Sequence, residues 1–160
     1  MIKFRKNLAL IMIVAVIFSQ VPLYTTVAYG ETQVGSPQEI IKSTYPLNNQ
    51  TNVEVKPTIK IVFKHPVVDI DKNKITLDSG GEKYPLDLDD PSEIYLLQDK
   101  RTLCIDVGKI GKLPLRRGTL YHLTLSKGAV KLENNIINDD ITISFVTRTE
   151  GQSPKIIAYS

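Results

Sequence analysis

Apolar and polar residues alternate with a period of two over most of the chain beyond residue 30, and that period sends successive side chains to opposite faces of a strand. The clearest run lies between Pro57 and Pro66, where Ile59, Ile61 and Phe63 fall on one face and Lys60, Val62 and Lys64 on the other. A strand with one apolar face cannot bury it alone, so this run predicts a second sheet opposite it. Similar alternation recurs at Ile75 and Leu77, at Tyr84, Leu86 and Leu88, and at Leu103, Ile105 and Val107, and residues 94–97 form a further strand candidate. It returns at Tyr121, Leu123 and Leu125, and closes with Ile141, Ile143 and Phe145. Turn residues separate the runs, notably Ser79-Gly80-Gly81 and Asp89-Asp90-Pro91-Ser92. About eight or nine strand candidates at this spacing predict an all-β antiparallel sandwich or barrel. Residues 109–118, with Pro114 and glycines near both ends, read as a loop or a single short turn. Removing the aromatic ring of Tyr121 or Phe145 from such a core is expected to cost about 3–5 kcal/mol.

One segment sends mixed signals. Ser36-Pro37-Gln38-Glu39 has the form of a helix start, with a cap residue, a first-turn proline and a glutamate able to reach back. Tyr45-Pro46 and the turn-rich Asn48-Asn49-Gln50 follow so soon that Ile40 and Ile41 are instead predicted to open an extended strand of about five residues.

Residues 1–30 read as a secretory signal peptide. Lys3, Arg5 and Lys6 precede an apolar run over 8–18, and Ala28-Tyr29-Gly30 offers cleavage positions before Glu31 or after Ala28. The run is shorter than the roughly twenty residues a bilayer span needs, so no membrane span is expected after cleavage. Removing the segment changes the charge. Three of the 20 basic residues and none of the 17 acidic ones precede Glu31, leaving a formally neutral mature chain. No net field remains to favour nucleic acid. The organisation expected is a signal over 1–30, a polar lead over 31–36, one domain over 37–148, and a linker over 149–160. Residues 153–160 echo 36–43 through Ser-Pro and Ile-Ile, the opening of a further module.

Candidate chemistry is sparse. Cys104 is the lone cysteine, so no intramolecular disulfide can form, and it shares a predicted strand face with Thr102 and Asp106. It reads as a small apolar residue on a partly covered face rather than a reactive thiol. His65 and His122 are the two histidines, and both methionines, Met1 and Met12, lie in the signal segment, which removes the soft ligands copper would need. Asp69-Ile70-Asp71-Lys72-Asn73 opens like a calcium loop, but Lys74 stands where glycine is required and Gly80 where a bidentate glutamate belongs. Asp87, Asp89 and Asp90 remain an alternative calcium cluster. Ser126, Ser144 and Cys104 sit in no nucleophile motif. No catalytic, cofactor-binding or metal-ligating residue is therefore assigned, and no enzyme is expected.

Residues 44–53, 57–63, 118–121, 128–135 and 143–147 resemble, in order and spacing, the successive blocks of the bacterial Ig-like domain first described in S-layer proteins, the SbsA type. The resemblance spans about residues 37–148. Lys64-His65 replaces the family's small acidic pair, and Leu132-Glu133-Asn134-Asn135 replaces its Asp-x-x-Gly-Asn loop. The resemblance implies an Ig-like antiparallel β-sandwich of about 7–9 strands used as a structural or spacer module in exported cell-surface or S-layer proteins. Its expected partners are neighbouring modules or cell-wall components, and its expected location is extracellular, at the cell surface or wall. A carbohydrate- or calcium-binding, adhesin-like surface module is the alternative.

Overall fold

The computed structural model describes residues 32–109 and 113–151. Along these the chain forms β1 (Gln33–Gly35), a helical turn α1 (Pro37–Ile40), β2 (Ile41–Tyr45), β3 (Gln50–Val53), β4 (Thr58–Phe63) and β5 (Val67–Ile70). A 3-10 turn at Lys72–Lys74 leads to β6 (Ile75–Ser79), β7 (Glu82–Tyr84), β8 (Ile94–Leu96), β9 (Thr102–Asp106) and β10 (Leu120–Leu125). Then come β11 (Val130–Leu132), a second 3-10 turn at Glu133–Asn135, β12 (Ile136–Asn138) and β13 (Ile141–Thr147).

Two sheets, ordered β2-β4-β9-β8 and β3-β13-β10-β6-β7, supply the opposing layers; a smaller third one runs β1-β12-β11-β5. The alternation decides what each layer contributes. Ile59, Ile61, Phe63, Leu103 and Ile105 from the first sheet join Leu77, Tyr121, Leu123, Leu125, Ile143 and Phe145 from the second in one buried cluster, which Val67, Val130 and Leu132 of the third extend. β6 and β7 meet through Gly80 and Gly81 with φ of 59° and 87°. Two left-handed residues in a two-residue turn suit the twist of a hairpin, and only glycine takes both without strain.

Two buried polar side chains tie the ends of these strands. Asn138 is fully buried; its Oδ1 accepts from Val130 N at 2.7 Å, and its Nδ2 donates to the carbonyls of Asp139 (2.7 Å), Ser126 (3.0 Å) and Leu125 (3.3 Å). Thr147, at 1 % exposure, accepts from Thr119 N at 3.0 Å and donates through the same hydroxyl to Arg116 O at 2.5 Å. Each satisfies backbone groups where the ladders run out into turns.

The structure departs from the sequence reading in several places. Residues 31–36, expected as a polar lead, contain β1, because β12 offers it a free edge for parallel pairing. The helix start and the extended strand both form: Glu39 Oε2 accepts from Ser36 N (3.0 Å) and Ser36 Oγ (2.8 Å), one turn buries Ile40, and β2 begins at the next residue. Pro85 ends β7, so Leu86 and Leu88 pack on the core from an irregular segment. Among the described residues the expected sandwich is divided into thirteen short strands where 7–9 were expected, and two of the pairings, β1 with β12 and β3 with β13, are parallel. Residues 113–118 of the expected loop are irregular. The signal segment at 1–30 and the repeat-like tail at 153–160 lie outside the described residues.

Candidate functional site

Strand register brings together three residues that lie far apart in sequence. Asp78 on β6, His122 on β10 and Ser144 on β13 stand in one row across the outer face of the larger sheet. His122 Nδ1 lies 2.9 Å from Ser144 Oγ. That contact is the geometry of a base beside a nucleophile, but the rest of an acyl-transfer site is missing. Ser144 N donates to Asn48 Oδ1 at 2.9 Å, the neighbouring amides belong to the ladder, and Asp78 is placed beside the ring by register without a hydrogen bond to it. Without preorganised donors where an oxyanion would form, the row gives a hydroxyl and an imidazole that satisfy each other. His65 is exposed in the connection between β4 and β5, neither of which belongs to the sheet that carries His122.

The acidic loops spend their oxygens locally. Asp69 Oδ1 accepts from Ile70 N at 2.9 Å, and Asp71 Oδ1 from Asn73 N at 3.2 Å, which caps the 3-10 turn. Asp87 Oδ1 accepts from Asp89 N at 3.2 Å, while Asp90 takes Ser92 N and Oγ (2.8 and 2.7 Å) and pairs with Lys109. These are turn-forming bonds. Among the described residues no group of three or more His, Cys, Asp or Glu side chains converges on a point where a metal would sit.

Cys104 is more deeply covered than its alternation suggests. It is 1 % exposed because, in the row across β4, β9 and β8, it stands between Lys60 and Tyr95, whose longer side chains shade a small one. Burial pushes its thiol above the ordinary value, which disfavours the thiolate needed for reactivity.

The sequence gives no warning of a pocket of about 390 Å³ between the β6–β7 hairpin and the irregular residues 113–116. Tyr84, Pro85, Leu113, Pro114 and Tyr121 line it, with Ser79, Glu82, Lys83 and Arg116 at its polar parts. Two latches hold its walls. The Arg116 guanidinium donates to both carboxylate oxygens of Glu82, each at 2.9 Å, and Tyr84 OH donates to Leu113 O at 2.8 Å. Burial, with the Glu93 carboxylate and Tyr121 adding, raises the Tyr84 phenol above its usual value and keeps it protonated as that donor. At the floor, Tyr121 OH accepts from Arg116 N at 2.9 Å, while the Tyr121 ring stacks on Phe145 with centroids 5.9 Å apart. Tyr121 therefore belongs both to the core and to the pocket.

Two facing sheets, one shared core and the closing β13 strand are the frame the sequence blocks imply. The model for the family described as bacterial Ig-like domain matches residues 36–147. The chain belongs to that family. The matched stretch runs from the Ser36 cap to Thr147 and so contains every core strand; β1 precedes it. Bacterial Ig-like domains are commonly modules of cell-surface proteins and are generally non-catalytic. Within this Ig-like domain the loop after β11 turns through two left-handed residues, Asn134 and Asn135 with φ of 62° and 58°, a region asparagine tolerates better than most residues. No curated protein matches the chain at a significant level. No helix among the described residues is long and apolar enough to cross a membrane.

Proposed function

We propose that this Ig-like domain is a non-catalytic spacer module of an exported bacterial surface protein, directed outward by residues 1–30. The supporting observation is where the chain comes in and goes out. β1 lies in register with β12, Gly35 opposite Asn138, and Asp139 N donates to Gly35 O at 3.0 Å, so the chain arrives beside the residues just before β13. It departs from the other end of β13, where Thr147 N donates to Thr119 O (3.0 Å) and Arg148 N to Val53 O (2.8 Å). The seven residues of β13 make these points about 20 Å apart at roughly 3.3 Å per residue.

Tension between those points runs along β13. That strand is joined to β10 by six register pairs and lies parallel to β3 on its other side. Ladder hydrogen bonds lie across the strand, so this direction loads them in shear together. The test has two parts. Fractionation of the native host is expected to find the chain outside the cell with a mass that lacks the signal segment. Single-molecule pulling on its termini is expected to give one cooperative rupture. An uncleaved cytosolic chain, or gradual unravelling at low force, refutes the reading.

A further inference from the structure

We infer that the pocket between the β6–β7 hairpin and residues 113–116 binds an uncharged sugar ring, a function separate from spacing. Its volume of about 390 Å³ falls within the size range of small-ligand sites, about 300–1,000 Å³. Two tyrosine and two proline rings line it, Tyr84, Tyr121, Pro85 and Pro114. A pyranose has apolar C–H faces and a polar edge of hydroxyls, so it needs such rings beside fixed, planar polar groups. The rim supplies these. Glu82 and Arg116 hold each other through two parallel bonds yet keep 64 % and 69 % of their side chains exposed, leaving lone pairs and N–H groups for adjacent hydroxyls. At the floor, the Tyr121 oxygen accepts from Arg116 N, so its own proton is left to donate.

Charge selects among ligands of this size. Arg116 and Glu82 cancel, and Lys83 shares the outer-face row of Asp78 and His122 rather than the Tyr84 side of β7. A pocket whose ion pair is neutralised internally favours a neutral sugar over a nucleotide or an acidic glycan. The bonds from Arg116 to Glu82 and from Tyr84 to Leu113 O fix the pocket's walls against each other, which lowers the ordering cost of binding. An extended proline-rich peptide would instead need donors spaced along successive carbonyls; here the Tyr121 hydroxyl and the Arg116 guanidinium are gathered about one residue rather than strung along a groove.

The experiment titrates glucose, N-acetylglucosamine and their trimers into the isotope-labelled full chain and follows backbone amide shifts. Saturable shifts at residues 82–85, 116 and 121, with dissociation constants near 1 mM, are expected. Tyr84→Ala is expected to weaken binding about tenfold or more, whereas Tyr84→Phe, which keeps the ring and loses only the bond to Leu113, stays within about threefold of wild type. Leu113→Asp places a charge at the mouth on a residue 83 % exposed, so the fold stays intact while binding weakens. The inference is overturned if no neutral sugar gives saturable shifts, if Leu113→Asp and Tyr84→Ala bind as wild type does, or if a proline-rich peptide binds this site in preference to every sugar.

Discussion

Replacing Asn138 tests how much one buried amide stabilises the junction of β10, β11 and β12. Its carboxamide oxygen holds Val130 N, and its nitrogen faces the carbonyls of Leu125, Ser126 and Asp139. In Asn138→Ala the Val130 N–H is left buried without an acceptor, which alone costs about 1–3 kcal/mol. With the lost bonds to the carbonyls the expected total is about 2–4 kcal/mol, a large share of a reserve of about 5–15 kcal/mol. Asn138→Asp keeps the shape and the acceptor but points an oxygen at three carbonyl oxygens. The folded state then tolerates only the protonated acid, so the folded-state pKa of the new carboxyl lies above its unfolded value of about 3.9. Its penalty is small below that pH and grows as pH rises, by about 1.4 kcal/mol per unit, until the folded-state pKa is reached. Urea denaturation of wild type, Asn138→Ala and Asn138→Asp at intervals between about pH 4 and 7 measures this, since subtracting wild type removes the pH dependence of the native carboxylates. If Asn138→Asp matches wild type throughout, or its deficit is flat with pH, the amide does not face those carbonyls and the reasoning fails.

Other outcomes follow from the same structure. Thr147→Val keeps the volume but orphans Thr119 N and Arg116 O, so it is expected to lose about 1–3 kcal/mol in denaturant unfolding. Cys104 is expected to react with a disulfide reagent only after denaturation; rapid labelling of the native chain would contradict its burial. Asp99 is held below the usual carboxylate range, first by the Thr102 hydroxyl and then by the amides of Arg101 and Thr102. Stability from that interaction is present above the unfolded pKa and disappears as pH falls through the lower folded one. The difference between wild type and Asp99→Ala in thermal melts should therefore close on acidification, and a constant difference would exclude this role.

The legible parts of the fold were those where one side of a strand meets hydrocarbon and the other meets water. Ile59, Ile61 and Phe63, or Leu123 and Leu125, state their direction within five residues because period two is visible at that length. β1, β11 and β12 are three residues each, too short for any period to show. The parallel union of β3 with β13 was hidden for a different reason, since it joins residues nearly a hundred positions apart. The same limit applied to the sites. His122 and Ser144 meet only once register is known, and the pocket depends on Arg116 reaching Glu82, 34 positions earlier. Cys104 was misjudged in degree because shading by Lys60 and Tyr95 is a property of neighbouring strands.

The outer margin of the larger sheet is β7, three residues long, carrying Glu82 and Lys83 and ending at Pro85. A second molecule sliding alongside meets two charges and then a residue with no amide hydrogen to offer. Copies of this domain crowded together are thus denied a template on that flank, and cross-β growth has no place to start there.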